Sequence, residues 1–185
     1  WTRSGVARPY SLASLPGEDP LLVVHVDCSA RGAFVNAARQ LVVGDVLRLG
    51  ELRGGALHYD PDWQELPLWL LAAGTGLGPL YGVLREALRQ EHHGPIRLVH
   101  VATDTAGHYL KQELDGLART YPALCVEYVF GAELADYLVQ MRLVSRQTRA
   151  LVCGHPDTVQ AFAKRLFLAG LSRNQLLADV FLSRS

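Results

Sequence analysis

Residues 66–79 read LPLWLLAAGTGLGP, an apolar run that leads into a glycine-rich turn and then into a helix-like segment, Leu80–Arg89. Such a turn lets backbone N–H groups approach a pyrophosphate, and the helix N-terminus adds a favourable dipole. Pro79 suits the first helical turn, where no hydrogen-bond donor is lost. Because neither a GxGxxG pattern nor a Gly-Lys-Ser/Thr ending is present, a tight strand-to-helix connection without a ligand also fits.

The composition is typical of a soluble globular protein with a full hydrophobic core. Of the 185 residues, 49% are hydrophobic and 19% are charged, and 18 basic residues balance 18 acidic ones. A balanced charge gives no electrostatic attraction to nucleic acid or to a membrane surface. We therefore expect a cytoplasmic protein whose partners are small ligands and other proteins, not nucleic acid or membrane.

The cysteines and histidines show no metal-binding pattern. Cys28, Cys125 and Cys153 lie far apart, without a CxxC pair or a His/Cys cluster at zinc-ligand spacing. We expect no disulfide framework, iron–sulfur cluster or other metal site in this chain. The adjacent pair His92-His93 follows a helix-like run, which predicts a solvated helix end.

From Gly74 onward, short apolar runs alternate with longer amphipathic ones. This alternation predicts parallel βαβ units wound into a doubly covered, five-stranded sheet of the α/β class. Such a sheet binds ligands beyond the carboxyl ends of its strands. The predicted strands are Leu66–Ala73, Ile96–Ala102, Leu124–Phe130, Arg149–Cys153 and Leu176–Phe181, and the predicted helices are Leu80–Glu91, His108–Tyr121, Ala132–Met141 and Pro156–Ala169.

The first 65 residues predict a different, antiparallel β structure that is too small to close a barrel. We place a domain boundary near Pro61–Pro67, which gives a partial antiparallel β-barrel over residues 1–63 and an α/β domain over residues 64–185. The predicted elements of the first part are the strands Arg8–Ser14, Leu21–Asp27 and Val46–Glu51 and the short helix Ala33–Leu41.

Three short motifs stand in a fixed order along the chain: Arg8-Pro9-Tyr10-Ser11, the Gly74–Pro79 turn, and Cys153-Gly154. Together they resemble the ferredoxin–NADP reductase superfamily, and the resemblance covers essentially the whole chain. It implies a β-barrel that holds FAD and an α/β domain that holds NAD(P)H. It also implies that hydride passes from nicotinamide to flavin, and that single electrons then pass to a ferredoxin-like, haem or oxygenase partner.

The resemblance assigns the first motif and the strand after it to the flavin. Arg8 matches an arginine that pairs with the flavin pyrophosphate, which suits its planar fork of donors. Tyr10 would lie against the isoalloxazine ring, and Ser11 would hydrogen-bond near N5, where the hydride arrives. His25 and Val26 match backbone positions along the ribityl and adenosine portions. An ordinary strand with an exposed arginine and a half-buried tyrosine is the alternative.

A second flavin segment departs from the family pattern. Gly32-Ala33-Phe34-Val35 matches a phosphate-binding turn, but Val35 stands where the family has Ser or Thr. Losing that hydroxyl removes a hydrogen bond to a charged group, worth about 1.5–3 kcal/mol. The family also has further barrel strands before Arg8. We therefore expect a truncated half-barrel that either pairs with a second copy of the chain or is disordered near its start.

On the nicotinamide side, the resemblance gives the chain a complete site. Gly74-Thr75-Gly76 and Pro79 would hold the cofactor pyrophosphate, and Cys153-Gly154 would lie beneath the nicotinamide, where a small polarizable side chain suits close approach. Asp179 matches the family's terminal acid, which shapes the site near the flavin edge and relays a proton. The implied catalytic residues are thus Ser11, Cys153 and Asp179. A plain core cysteine and a charged residue near a flexible C-terminus are the alternatives.

The choice of nicotinamide cofactor depends on Thr103-Asp104 at the end of the second α/β strand. An acid there accepts hydrogen bonds from a ribose 2′-hydroxyl and repels a 2′-phosphate, so NADH is favoured. Arg97 and Lys111 are close in sequence and would favour NADPH if they lay nearby, and Asp104 could instead cap a helix near His108.

Three interpretations of the function remain open. The first is a flavin oxidoreductase, and the second is a non-catalytic module that senses NAD(H) or docks a partner. The third is an α/β domain that binds no nucleotide.

Overall fold

Residues 68–180 form a parallel α/β sheet in this computed structural model, which describes residues 7–29, 32–51 and 54–181. Its strands and helices confirm those predicted from the sequence, with ends within about three residues, the uncertainty usual for element boundaries. The strands are β1 (Leu68–Ala73), β2 (Ile96–Ala102), β3 (Leu124–Phe130), β4 (Arg149–Gly154) and β5 (Leu176–Val180), and the helices are α1 (Ala33–Ala38), α2 (Leu77–Arg89), α3 (Lys111–Thr120), α4 (Leu134–Gln140) and α5 (Pro156–Leu168).

The sheet has the order β3-β2-β1-β4-β5, and all neighbouring strands are parallel. Side chains of β1 alternate between two cores: Leu70 belongs to the core under α2 and α3, and Leu71 to the core under α4 and α5. Right-handed crossovers explain this division, because the chain moves outward from β1 through β2 to β3 and then returns to the other side. The direction therefore reverses between β1 and β4, which creates the switch point of the sheet.

The helices follow from the spacing of their apolar residues. In α2, Leu77, Leu80 and Leu84 recur at intervals of three and four residues and are fully buried. Phe162 and Leu166 have the same role in α5. That helix begins with Pro156 and is stopped by Gly170, whose φ of 99° is a conformation that glycine adopts readily.

The structure does not show the predicted partial antiparallel barrel. It assigns no β-strand to the described residues before Leu68, although the short helix α1 is confirmed. The reason is the lack of a ladder: the segments 8–14 and 21–27 share the backbone hydrogen bond from Ala13 N to Val23 O, at 2.8 Å, where a strand pair needs a series of such bonds. Apolar side chains that a barrel would cover stay exposed, Val46 at 87%. The predicted disordered start concerns residues 1–6, which lie outside the described residues.

The N-terminal segment, residues 7–29, nevertheless packs on α2. Arg85 of that helix donates to both carboxylate oxygens of Asp19, at 2.5 and 2.8 Å. The hydrogen bonds from Arg85, and with a smaller effect the one from the Leu15 backbone N–H, lower the pKa of Asp19 to about 2. Six residues before Asp19, the Ala13 carbonyl lies close to Gly82. These contacts hold residues 13–19 against the helix that begins at the glycine-rich turn.

The prediction of a solvated helix end at His92-His93 is wrong for the first of the pair. His92 is buried, and its Nδ1 lies 2.9 Å from the Tyr59 hydroxyl, because the chain folds back under α2 after Glu91. His93 is exposed and lies 2.8 Å from the Glu65 carboxylate.

Among the described residues, every helix is too short or too polar to traverse a lipid bilayer.

Candidate nucleotide-binding site

The glycine-rich turn lies at the switch point, between β1 and β4. Gly74–Gly76 form a single 3-10 turn, and α2 starts directly after it, which places Pro79 in the first turn of the helix. Gly74 is exposed with a φ of 54°, and a Cβ there would meet nothing within 4 Å in the part of the chain that the structure describes. The N-terminus of α2, with its free N–H groups, therefore lies next to an open surface, an arrangement that fits a pyrophosphate.

Two glycines bring the turn and the end of β4 to backbone contact. A Cβ on Gly76 would lie 2.2 Å from the Cys153 carbonyl oxygen, and one on Gly154 would lie 2.2 Å from the Ala73 carbonyl oxygen. Gly154 also has a φ of 127°, which side chains rarely tolerate. Since no side chain fits at either position, the crevice at the switch point requires both glycines.

The three residues predicted as catalytic lie together at this crevice. Cys153 is fully buried and pairs with Asp179 in the β4–β5 register. The Ser11 hydroxyl lies 3.4 Å from Asp179 Oδ2, which is longer than a strong hydrogen bond. Burial, with a smaller effect of the Asp179 carboxylate, raises the pKa of the Cys153 thiol. The thiol is therefore protonated near neutral pH, as expected for a packing residue and not for a nucleophile.

We expect Cys153 to resist thiol reagents in the native protein, while Cys28 and Cys125 react. The latter two are exposed, whereas Cys153 is buried with a raised pKa, and only an accessible thiolate attacks a disulfide reagent. Titration of this chain with a chromogenic disulfide should count two of its three thiols in the native state and all three after denaturation. Cys153→Ser should still give two native thiols, and a rapid third reaction in the unmodified protein would contradict this arrangement.

The residues predicted to bind flavin are brought together in part. The Tyr10 and Phe34 rings lie 5.0 Å apart between centroids, so the first motif contacts α1. Arg8 is half-buried and donates to the neighbouring Ala7 carbonyl at 2.9 Å. The remaining predicted positions are Val26, which is half-buried, Gly32, which precedes α1, and Ala33 and Val35 within α1.

Thr103 and Asp104 are exposed just beyond the end of β2. Asp104 Oδ1 accepts a hydrogen bond from Gly107 N at 2.9 Å, which closes a turn. Because α3 begins only at Lys111, Asp104 is not the cap of that helix. The carboxylate thus lies at the carboxyl edge of the sheet, at the end of the strand next to the one that leads into the glycine-rich turn, as the sequence predicts.

The basic residues near Asp104 in the sequence are engaged elsewhere. Arg97 is near the amino end of β2, about 17 Å along the strand from Ala102 at the usual rise per residue. There it pairs with Glu127 and stacks 4.9 Å from the Trp69 ring. Lys111 pairs with Asp115 at 2.9 Å. The structure therefore removes Arg97 from the edge where a nucleotide would bind.

His100 was not predicted as a site residue, yet it contacts the turn from behind. Its ring is fully buried in β2, and Nε2 lies 3.0 Å from the Gly74 carbonyl oxygen. Burial lowers the pKa of His100 to about 4, so the neutral ring donates from Nε2. Its Nδ1 has no hydrogen-bond partner among the described residues, as fits a bare ring nitrogen. A histidine inside an apolar strand is the sequence signal that points to it.

Tyr109 is the second residue that the sequence did not indicate. It lies in the loop between β2 and α3, with its ring centroid 5.5 Å from that of His100 and 5.0 Å from that of His25. Nothing in the local sequence distinguishes it from other half-buried tyrosines. Its position becomes evident only when β2, α2 and the N-terminal segment are placed together.

The chain matches a protein family and curated relatives. The family model, described as an oxidoreductase NAD-binding domain, covers residues 70–164, more than half of the chain. Reductase component 1 of terephthalate 1,2-dioxygenase from Comamonas sp is 33% identical over 190 residues, covering 96% of this chain and 55% of the relative. The ferredoxin–NAD(P)(+) reductase component of a Pseudomonas putida naphthalene 1,2-dioxygenase system is 28% identical over 186 residues, covering 95% and 56%. The chain thus spans about half the length of these relatives.

Solved structures agree in fold with the chain. A cytochrome P450 reductase from Amycolatopsis, GcoB, has a TM-score of 0.73 and 24% identity, covering 96% of this chain and 57% of that protein. A ferredoxin-NADP+ reductase from Plasmodium falciparum has a TM-score of 0.70 and 15% identity, covering 95% and 77%. The family match, the switch-point turn and the strand order together show that the chain belongs to the oxidoreductase NAD-binding domain family, within the ferredoxin–NADP reductase superfamily.

Proposed function

We propose that this chain belongs to a flavin reductase that oxidises NAD(P)H and passes electrons to an iron–sulfur or haem partner. The observation that carries the proposal is the crevice at the switch point. There the backbone of the exposed glycine-rich turn lies in direct contact with the backbone of Cys153-Gly154 at the end of β4. Relatives named as reductase components of dioxygenase systems support the same activity. Their partners suggest a ferredoxin-like protein or an oxygenase component as the acceptor.

The proposed roles follow from the geometry of the turn. Gly74, Thr75 and Gly76 would hold the nicotinamide cofactor's pyrophosphate with backbone N–H groups, and Pro79 fixes the first turn of α2. Cys153-Gly154 would form the floor under the nicotinamide ring. Bound NAD(P)H and FAD supply the hydride and electron-carrying chemistry, while the protein supplies orientation and excludes water.

The proposed flavin side consists of residues 1–63, with the α/β domain at residues 64–185. Ser11 and Asp179 approach each other at the crevice, which supports a shared role at the flavin edge for the hydroxyl and the carboxylate. The contact between Tyr10 and Phe34 supports a common surface for the ring and the phosphates. Association with a second copy stays a prediction, which sedimentation of the protein can test.

The full-length protein tests the proposal directly. We expect it to be yellow as purified and to oxidise NADH with ferricyanide as the electron acceptor. Colourless protein that binds NADH without turnover would instead support the non-catalytic alternative, which Val35 in α1 and the lack of strands in the described residues before Leu68 favour. Protein that binds no nucleotide would contradict both functions.

We propose NADH as the preferred nucleotide, because Asp104 lies at the edge of the site and Arg97 does not. Asp104→Asn keeps the oxygen that binds Gly107 but removes the charge that would repel a 2′-phosphate. It should raise kcat/KM for NADPH relative to NADH by roughly tenfold, or about 1.4 kcal/mol. Asp62→Asn, an equal charge change before β1, should leave the ratio unchanged. A ratio in Asp104→Asn equal to that of the parent would contradict the assignment.

A further inference from the structure

The Tyr109 hydroxyl joins two segments that are distant in the sequence. It lies 3.0 Å from His25 Nδ1, in the N-terminal segment, and it faces the backbone of Gly78, in the first turn of α2. A tyrosine hydroxyl can donate one hydrogen bond, and a neutral histidine has one bare ring nitrogen that accepts. The arrangement therefore lets Tyr109 hold His25 beside the first turn of α2.

Packing around this hydroxyl is close. A Cβ on Gly78 would lie 3.2 Å from His25 Nδ1, so the His25 ring rests directly on the first turn of α2. The Tyr109 ring stands edge-on to both His25 and His100, at 89° and 86°. His100 in turn holds the Gly74 carbonyl. One cluster of three rings thus contacts the glycine-rich turn at both of its ends.

We infer that Tyr109 is a positioning residue, whose hydroxyl fixes the His25 segment against the nucleotide turn and so sets the separation of the two cofactor rings. The inference rests on the proposed function, since it assumes flavin on the side of His25 and nicotinamide on the side of Gly74. The physical reason is that a misplacement of about 1 Å between reacting groups can slow a reaction by up to about 100-fold. Binding at the turn itself does not require the hydroxyl.

The test compares Tyr109→Phe with Tyr128→Phe in the full-length, flavin-containing protein. The first variant keeps the ring and removes the hydroxyl. The second removes a hydroxyl that bonds to Asp115 at 2.8 Å, inside the α/β part, and is the matched control. In hydrogen–deuterium exchange, NADH should protect residues 74–80 in all three proteins, and residues 21–27 in the parent and the control. In Tyr109→Phe, residues 21–27 should lose that protection and exchange about fivefold faster, as the loss of one hydrogen bond predicts.

Rapid-reaction kinetics provide the second readout. We expect flavin reduction by NADH to slow roughly tenfold in Tyr109→Phe while the NADH Kd changes less than about threefold, because orientation is lost and the binding turn is kept. Equal exchange and equal rates in the two variants would overturn the inference. Faster exchange throughout Tyr109→Phe with a lower Tm would also overturn it, because it would indicate a purely structural role. If NADH protects neither segment in the parent, the proposed function itself fails.

Discussion

Replacing Gly76 with alanine is expected to weaken nucleotide binding by at least about 100-fold, or about 2.7 kcal/mol. The new methyl group would lie 2.2 Å from the Cys153 carbonyl oxygen and 2.7 Å from the Gly154 nitrogen, and both are backbone atoms that cannot rotate away. The turn and β4 must therefore move apart by more than 1 Å, by comparison with an ordinary contact near 3.4 Å. Titration of tryptophan fluorescence with NADH measures the loss.

The matched control is Gly82→Ala in the same helix. There the new methyl group would lie 3.5 Å from the Ala13 carbonyl oxygen, which is an ordinary contact. In a helix interior, alanine gives a more stable protein than glycine by about 0.5–1 kcal/mol. We expect parent-like binding and slightly higher stability in this variant. The free energy of unfolding of Gly76→Ala should fall by about 1–3 kcal/mol, as for other overpacked sites. Parent-like binding by Gly76→Ala would contradict the close approach.

Acidification is expected to destabilise the protein between about pH 6.5 and pH 4 through His100. The ordinary pKa of histidine is about 6.5, and burial lowers that of folded His100 to about 4, so the unfolded chain binds more protons in this interval. Stability must then fall as the pH falls, because protons favour the unfolded state. The contribution is fully present above about pH 6.5, and about 3 kcal/mol is lost by about pH 4, at 1.36 kcal/mol per unit.

Denaturant unfolding at a series of pH values measures this contribution. His100→Gln is the control, because its amide can donate to the Gly74 carbonyl but does not titrate. Burial also lowers the pKa of His25 and His92, so some acid sensitivity should persist in the variant. The difference between the two pH profiles therefore isolates His100. Parallel profiles from pH 7 to pH 4 would show that His100 is not buried in its neutral form.

Most of the α/β fold could be predicted from local patterns. An apolar run bounded by Gly74 predicts a buried strand, and leucines spaced by three and four residues predict α2, because burial selects the same periodicities in any sheet of this class. The predicted barrel is not shown by the structure, because pairing between strands depends on a second segment and not on a local pattern alone. Alternating apolar residues such as Val46 indicate a strand only when a neighbouring segment supplies hydrogen bonds, and the described N-terminal residues supply few of them.

Local sequence was therefore sufficient for the order of strands and helices, for the glycine-rich turn and for the motifs that resemble the reductase superfamily, since each depends on residues close together in the chain. The order in which the strands lie side by side in the sheet, with β4 beside β1, was decided only by the tertiary structure. That order brings Gly76 against Cys153, His100 behind Gly74, and Tyr109 between His25 and Gly78. Such contacts depend on register and crossover direction, and no periodicity within a single segment encodes them.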